Sequence, residues 1–147
     1  MNRLKKEWVQ GNAYNDRIAD FLREIDSEMI PELSGRVKIE EYALKLSETA
    51  HNLFIVSDGI DIASSSVYCN TKNAYISSIA VKKIYLRQHI GTCMMQEIKS
   101  YVKEEKCSII RLQVWHSNIP ALIFYQRNGF LIQNNIGDWL EMEYVIG

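Results

Sequence analysis

The chain has 147 residues, which suits one domain with a sizeable core and leaves no room for two. Apolar residues make up 47% of it and charged residues 24%, as in ordinary globular soluble proteins. The formal net charge of -1 gives no overall field that would attract nucleic acid or anionic lipid, so a role in binding either is disfavoured.

Two helices are predicted in the first third of the chain. From Asn12 to Met29, apolar residues recur at helical spacing, and Pro31 and Gly35 end this helix. A second helical pattern runs from Val37 to Ala50, with charged residues between the apolar ones. We expect the two helices to form an N-terminal cap on the rest of the fold.

Three consecutive strands follow by prediction. Residues 52–57 form a short apolar run, and Asp58-Gly59 is a strong signal for a hairpin turn. Residues 60–68 are predicted to form the partner strand, and a polar turn at residues 70–73 leads into a third strand at residues 74–81. The three strands are expected to form an antiparallel meander.

Helices and strands alternate in the last part of the chain. A helix with one buried stripe is predicted at residues 90–105, an apolar strand at 109–115 and a helix at 118–127, with Pro120 near its first turn. Gly129 ends that helix, a strand is predicted to start at residues 130–132, and residues 140–145 are predicted to complete the sheet. A strand-helix-strand crossover beside a meander predicts an α/β (α+β) fold, with a mixed sheet of about six to seven strands and helices on its faces.

The turn that precedes residue 90 is the most informative segment of the chain. It follows a strand directly, opens a helix, and contains Arg87, Gln88, His89, Ile90 and Gly91. The first amides of a helix have no partners within the helix, and the helix dipole favours negative charge there. The turn therefore predicts a site for the phosphates of a nucleotide-type cofactor.

Together with residues further on, this turn resembles the signature of the GCN5-related N-acetyltransferase (GNAT) family. The resemblance covers about the second half of the chain and rests on segments 79–81 and 86–92 and on Asn118, Ala121, Tyr125 and Gly129-Phe130. The family's turn has Gln or Arg, two variable residues, Gly, one residue, then Gly or Ala. Here these positions hold Leu86, His89 and Gly91, so only the last matches. The resemblance implies a GNAT-like acyl-CoA N-acyltransferase fold, as a single domain over residues 1–147.

The resemblance also implies acetyl-CoA as co-substrate, with no metal. Main-chain amides from Gln88 to Thr92 would hold its pyrophosphate, since amides need no particular side chain. The Ile79 amide would bond the thioester carbonyl and stabilise the oxyanion formed on attack, and Val81 would bond the pantetheine arm. The implied cofactor-binding residues are Ile79, Ala80, Val81, Arg87, Gln88, His89, Ile90, Gly91, Thr92, Asn118 and Tyr125.

Two of these residues also have structural interpretations. His89 replaces a glycine, so it would be modestly strained if the position needs a positive φ. Its side chain could donate to a phosphate, or it could be an exposed turn histidine. Asn118 could cap the helix that follows, bond the cofactor arm, or do both.

Tyr125 is the implied general acid. In the family this tyrosine lies near the cofactor sulfur and protonates the leaving thiolate, which requires the phenol to be within hydrogen-bond reach. The alternative is a core aromatic residue that packs beside Phe124 and Phe130. The downstream Gly-Phe pair favours the acid.

The general base is less clear from the sequence. An amine acceptor must lose a proton before it attacks, and many relatives place a glutamate on the third strand of the meander. Here those positions hold Tyr75, Ser77 and Ser78. His116 is the best candidate replacement, although it could have no catalytic task. Weaker candidates are Asp58, His51 and Asp138, and a chain of waters ending at backbone or serine could accept the proton instead.

These features predict an enzyme that transfers acetyl from acetyl-CoA to a primary amine of a small molecule or peptide by direct attack. The N-terminal helices, the loop between them and the C-terminal hairpin are expected to form the acceptor site. This site could be lined by Trp115, Trp139 and Tyr144, although aromatic residues at strand ends more often close a core or an interface. One alternative is a CoA-binding regulatory module without catalysis. Another is a toxin that acetylates aminoacyl-tRNA, which the net charge of -1 disfavours.

Metal sites, disulfides and membrane spans are not expected. Three cysteines without a Cys-x-x-Cys pair and three scattered histidines do not suggest a zinc site or a disulfide framework. No run of about 18 apolar residues and no apolar signal core occur, so a cytoplasmic location is expected. The C-terminal strands could pair across a homodimer.

Overall fold

The computed structural model describes residues 4–147, and within them seven strands form one mixed sheet. The strands are β1 (Leu4–Val9), β2 (His51–Ser57), β3 (Ile60–Tyr68), β4 (Asn73–Val81), β5 (Ile109–Trp115), β6 (Leu131–Ile136) and β7 (Trp139–Val145). Their order across the sheet is β1-β2-β3-β4-β5-β7-β6. All neighbours are antiparallel except β4 and β5, which are parallel and joined by a helical crossover.

Two pairs of helices cover the two faces of this sheet. The helices are α1 (Asn15–Ile25), α2 (Ile39–Thr49), α3 (Ile90–Glu104) and α4 (Ile119–Arg127). Helices α1 and α2 bury their apolar stripes against Phe54 of β2, whereas α3 and α4 pack against the core residues Ile110, Leu112 and Phe130. The predicted mixed sheet with flanking helices is therefore confirmed. No helix within residues 4–147 combines the length and apolar content needed to cross a bilayer.

Strand β1 was not predicted from the sequence. Its segment carries Lys5, Lys6 and Glu7 in a row, so the alternation that signals a half-buried strand is absent. The strand forms because it pairs with β2 over its whole length, from Leu4 opposite Ser57 onward. Charged residues are typical of an edge strand, which must avoid pairing with other chains.

Some predicted boundaries and placements are also wrong. The first helix is shorter than residues 12–29, because short 3-10 turns flank α1 on both sides. The strand predicted to start at residues 130–132 is β6, which begins at Leu131 and continues to Ile136 because the hairpin with β7 pairs its polar residues. Helices α1 and α2 are not a separate cap, since they form the layer on one sheet face. The Asp58-Gly59 hairpin turn is confirmed, with φ values of 51° and 76°.

The separation of β4 from β5 is the feature that positions the site. The two strands pair only from Asn73 opposite Ile109 to Tyr75 opposite Arg111. Beyond this point β4 continues to Val81 and β5 to Trp115 without pairing to each other. The sheet is therefore split by a wedge-shaped gap at the end of β4 that leads into α3.

Candidate active site

A cavity of about 1090 Å³ occupies the gap between β4 and β5. Its floor and sides come from residues 76–81 of β4 and residues 112–115 of β5. The first residues of α3 and one side of α4 close it at one end. The cavity is also lined by Trp139 of β7 and by residues from the connection between α1 and α2, namely Ser27, Glu28, Met29, Ile30 and Arg36.

The open edge of β4 presents main-chain donors to this cavity. The Lys82 amide donates to the Ile62 carbonyl at 2.9 Å, which makes the neighbouring pair of Ala63 and Val81 a non-hydrogen-bonded one. In such a pair the N–H and C=O groups point away from the partner strand, so those of Val81 point into the gap. Ile79 lies two residues earlier, opposite Ser65, and has the same orientation.

The turn before α3 presents a second set of donors. The first amide with an acceptor in this segment is that of Cys93, which donates to the His89 carbonyl at 3.0 Å. Within residues 4–147, the amides from Arg87 to Thr92 have no hydrogen-bond acceptor. Six consecutive free amides at the start of a 15-residue helix form a site that suits an anion.

Left-handed backbone conformations shape this turn. His89 has a φ of 61° and Arg87 a φ of 68°. The position of His89 does require a positive φ, so the histidine accepts the modest strain that its glycine counterpart would avoid. The side chain of His89 makes no capping hydrogen bond to α3. Arg87, His89, Ile90, Gly91 and Thr92 line the cavity, whereas the exposed Gln88 does not.

Tyr125 reaches the cavity from α4. Its side chain is 8% exposed and packs edge-on against the rings of Phe124 and Phe130. Burial raises the pKa of the phenol, so the hydroxyl stays protonated at neutral pH. Within residues 4–147 this hydroxyl makes no hydrogen bond, which leaves its proton available to a group in the cavity. Tyr125 therefore packs its ring in the core and also presents a free hydroxyl to the cavity.

Asn118 precedes α4 and caps it. Its side-chain oxygen accepts a hydrogen bond from the Ala121 amide at 3.4 Å, and Pro120 occupies the first turn. Asn118 also lines the cavity. The side-chain nitrogen makes no hydrogen bond within residues 4–147, so capping leaves a donor free on the cavity side.

His116 lies outside the cavity. Its Nδ1 is 3.0 Å from the Asp138 carbonyl oxygen and its Nε2 is 3.2 Å from Ser117 Oγ, on an exposed loop. The neighbouring Trp115 lines the cavity, whereas His116 does not. The role of His116 as the general base stays a prediction.

Two tryptophans line the cavity. The rings of Trp115 and Trp139 meet edge to face at 5.3 Å. Tyr144 is not among the lining residues, because its ring lies under Lys99 Nζ at 3.9 Å and against Phe130 in the core. Of its two predicted placements, Tyr144 therefore has the one in the core.

The β4 positions that carry a glutamate in many relatives offer no carboxylate. The Tyr42 hydroxyl and Ser77 Oγ are 2.6 Å apart, and Ser77 and Ser78 line the cavity. Burial raises the pKa of Tyr42 and of Tyr75, so neither phenol is a base near neutral pH. Within residues 4–147 no group of three or more His, Cys, Asp or Glu residues is arranged to hold a metal ion.

A model of the acetyltransferase (GNAT) family matches residues 16–130. This match spans most of the chain, including β4, the turn before α3, and α4. The chain belongs to the GNAT acetyltransferase family. Membership fits the cavity described above, in which an open strand edge leads to free amides at a helix start.

Among curated relatives, this GNAT protein is 28% identical to N-alpha-acetyltransferase 60 of Xenopus tropicalis over 129 residues. The matched region covers 86% of this chain but only 44% of that protein, so the chain spans less than half of its relative. The chain also matches N-alpha-acetyltransferase 60 of Danio rerio, with 32% identity over 73 residues, 48% of this chain and 30% of that protein.

Among solved structures, the PaiA N-acetyltransferase of Thermoplasma acidophilum, in complex with coenzyme A, superposes with a TM-score of 0.80 at 17% identity. That comparison covers 97% of this chain and 99% of the other. At this level of identity the similarity establishes the fold alone. It confirms the GNAT fold that the sequence resemblance implied.

Proposed function

We propose that this protein is an N-acetyltransferase that transfers the acetyl group of acetyl-CoA to a primary amine. The observation that carries the proposal is the presence of two sets of free main-chain donors at one cavity. The first set is the Ile79 and Val81 amides on the open edge of β4, and the second is the six amides before and at the start of α3. An extended pantetheine arm followed by a pyrophosphate matches these two sets in chemistry and order.

Ile79 and Tyr125 have distinct roles in this proposal. The thioester of acetyl-CoA supplies the acetyl group and a thiolate leaving group. The Ile79 N–H is oriented to donate to the thioester carbonyl oxygen, where it would stabilise developing negative charge. Tyr125 holds a proton for the thiolate, and its buried phenol keeps that proton across neutral pH. The acceptor amine attacks directly, from the end of the gap that Trp115 and Trp139 line.

We further propose that the acceptor is the α-amine of a peptide. The name of the curated relatives, N-alpha-acetyltransferase, supports this choice among amines. The sheet face of β5 and β7 beside Trp139 supports it as well, because Gln113 on that face is exposed. A peptide that extends away from the gap can lie along such a surface. We also propose that residues 1–147 act as one domain in a cytoplasmic protein, consistent with three free cysteines.

The test is thiol release from acetyl-CoA with matched amines. The panel contains peptides with a free N-terminus, the same peptides with a blocked N-terminus and one free lysine, and small amines. We expect release only with free N-termini, and Tyr125→Phe should lower kcat at least about tenfold while leaving the Kd for CoA unchanged. Equal loss of kcat and CoA affinity would contradict the acid role.

The regulatory alternative keeps one supporting observation, namely the lack of a carboxylate at the β4 positions described above. It predicts CoA binding by calorimetry without thiol release for any amine in the panel. Failure to bind CoA would overturn both ideas. Salt-dependent binding of tRNA would instead favour the toxin alternative.

We propose that two copies pair through β6. All six side chains of β6 are exposed, and the strand carries no charged residue, in contrast to the charged edge strand β1. Leu131 and Ile136 lie opposite Glu143 and Trp139 of β7, on the same sheet face. In an antiparallel pair of two β6 strands related by a twofold axis, Leu131 of one copy would meet Ile136 of the other.

Light scattering with size-exclusion chromatography tests this pairing. The wild-type protein should be a dimer at micromolar concentration, and Ile136→Lys should be a monomer with an unchanged circular dichroism spectrum. Ile60→Lys, at an exposed residue at the start of β3, is the matched control and should leave the dimer intact. A monomeric wild type would remove the proposal.

A further inference from the structure

Arg36 presents a guanidinium without an acidic partner at the acceptor end of the cavity. Its Cζ lies 5.1 Å from the centre of the Trp139 ring, and both residues line the cavity. Arg17, Arg23 and Arg111 each have a carboxylate oxygen within 3.1 Å. Arg36 has none within 4 Å among residues 4–147, and it is exposed at the wall of the cavity. An exposed cation that lines a cavity and has no counterion can bind an anionic group.

The backbone under Arg36 is fixed. Its amide donates to the Leu33 carbonyl at 2.9 Å, and the next amide, that of Val37, donates to the same oxygen at 3.0 Å. Leu33 is only 3% exposed and belongs to the core under α1 and α2. The Ser34 amide donates to Asp26 Oδ1 at 2.7 Å, which closes the turn. The guanidinium therefore extends from an anchored position.

Its packing leaves the guanidinium donors available. When the cation lies over the face of an indole, the π system contacts the flat face of the guanidinium. The N–H groups lie in the plane of the guanidinium and at its edge, so a carboxylate can still accept two of them in parallel. Trp139 thus holds Arg36 in place without occupying its donors.

Arg36 is also close to the end of the gap where the acceptor enters. Burial raises the pKa of Tyr75, on β4 at its last pair with β5, and the charge of Arg36 acts on the same phenol in the opposite direction. Two carboxylates lie on the neighbouring strand β7, and the charge of Glu141 also raises the pKa of Tyr75. Glu143 is paired with Arg111 at 2.9 Å, and Glu141 accepts a hydrogen bond from Asn134 at 3.0 Å, so neither carboxylate is paired with Arg36.

We propose that Arg36 binds a carboxylate of the acceptor and so selects amines that carry an acidic group near the reacting nitrogen. This inference rests on the proposed function. The carboxylate could belong to an Asp or Glu side chain close to a peptide N-terminus, or it could be the main-chain carboxylate of a free amino acid. Both sources offer the same two oxygens to the guanidinium.

The first arm of the test compares peptides that differ only in whether one side chain ends in a carboxylate or in the corresponding amide. Amidated peptides with Glu or Gln at the second or third position are assayed for kcat/KM by thiol release. The wild type should prefer the Glu peptide at one of these positions by about tenfold or more. Arg36→Gln should reduce the Glu-to-Gln ratio to about one, and Arg36→Lys should keep part of it, since a point charge remains.

The second arm distinguishes the sources. Free amino acids are compared with their amides, and a preference for the free carboxylate that Arg36→Gln abolishes assigns the site to amino acids. Arg127→Gln, at an exposed arginine on α4, is the matched control and should leave every ratio unchanged. A wild-type ratio near one in both arms, or ratios that persist in Arg36→Gln, would overturn the inference.

A binding measurement keeps the outcome independent of turnover. N-acetylated Glu and Gln peptides are titrated calorimetrically into the CoA-saturated protein, and the same preference and its loss in Arg36→Gln are expected. Thiol release with a Glu-to-Gln ratio of one would refute only the role of Arg36. Binding that discriminates without any thiol release would refute the proposed function and leave the carboxylate site.

Discussion

Gly91 at the start of α3 lies against the ring of Phe124 on α4. A Cβ atom built on Gly91 would lie 3.1 Å from Phe124 Cε1 and 3.2 Å from Cζ. The φ of Gly91 is not in the left-handed region, so close approach rather than backbone conformation excludes a side chain here. The contact holds the start of α3 next to the helix that carries Tyr125.

We expect substitutions of Gly91 to weaken CoA binding in proportion to side-chain size. Gly91→Ala should raise the Kd several-fold, because Phe124 must yield by a few tenths of an ångström, whereas Gly91→Val should raise it more than about tenfold. The free energy of unfolding should change little in Gly91→Ala. The higher helix propensity of alanine, about 1 kcal/mol over glycine, offsets the cost of displacing Phe124. Calorimetric titration with CoA measures the effect.

Two further variants control this experiment. Gly35→Ala should be neutral, because a Cβ at Gly35 meets no atom within 4 Å. Phe124→Leu combined with Gly91→Ala should recover affinity if the ring is the obstacle. A Gly91→Val protein that binds CoA as tightly as the wild type would show that this helix start does not hold the cofactor.

Substitutions of Asn118 should separate its capping role from cofactor binding. Asn118→Ala removes the acceptor for the Ala121 amide, so the free energy of unfolding should fall by about 1 kcal/mol. Asn118→Asp retains a capping oxygen but removes the side-chain N–H groups. We therefore expect Asn118→Asp to keep stability, measured by urea unfolding, and to lose CoA affinity. Wild-type affinity in this variant would leave Asn118 as a cap only.

His116→Gln tests the predicted general base. Removal of a general base lowers kcat by about 100-fold to 10,000-fold. Because His116 lies outside the cavity and its ring nitrogens face Asp138 and Ser117, we expect kcat to stay within about threefold of the wild-type value. A large loss with a changed pH profile would instead assign the base to His116.

The buried phenols should make stability decrease at alkaline pH. Burial raises the pKa of Tyr125, whereas a tyrosine in an unfolded chain titrates near about 10. Below that pH the phenol is protonated in both states and contributes no pH dependence. Above it only the unfolded chain releases the proton, so the free energy of unfolding falls by up to about 1.4 kcal/mol per pH unit for this group.

Denaturant unfolding between pH 9 and 11 measures this slope. Tyr125→Phe should give a shallower slope above pH 10 than the wild type. Tyr42→Phe should do the same, because burial also raises the pKa of Tyr42. Identical slopes for all three proteins would mean that neither phenol is protected in the folded state.

The parts of the fold that follow from local pattern could be predicted from the sequence. Strands β3 and β5 and the ends of α4 carry their own signals, such as the Asp58-Gly59 turn and Pro120 after the capping Asn118. Strand β1 could not be predicted, because Lys5, Lys6 and Glu7 give it no apolar alternation and its strand character comes from pairing with β2.

Some residues of the candidate site could likewise be predicted from the sequence, and others could not. The helix-start turn and Tyr125 belong to a contiguous pattern of spacing, so the sequence points to them. Arg36 was missed, because its position over Trp139 depends on a loop that brings together residues more than 100 positions apart. The placement of Tyr144 was left open between the cavity and the core, because an aromatic residue at a strand end carries no information on which sheet face it joins.

The positions of the three tryptophans give the protein a built-in optical reporter. Trp8 is stacked on Tyr101 at 3.8 Å and donates its Nε1 hydrogen bond to Glu97, far from the cavity lining. Trp115 and Trp139 stand at the cavity wall as an edge-to-face pair. A molecule that enters between them will alter the emission of two indoles and leave the third as an internal standard, so unlabelled acceptors can be screened by fluorescence.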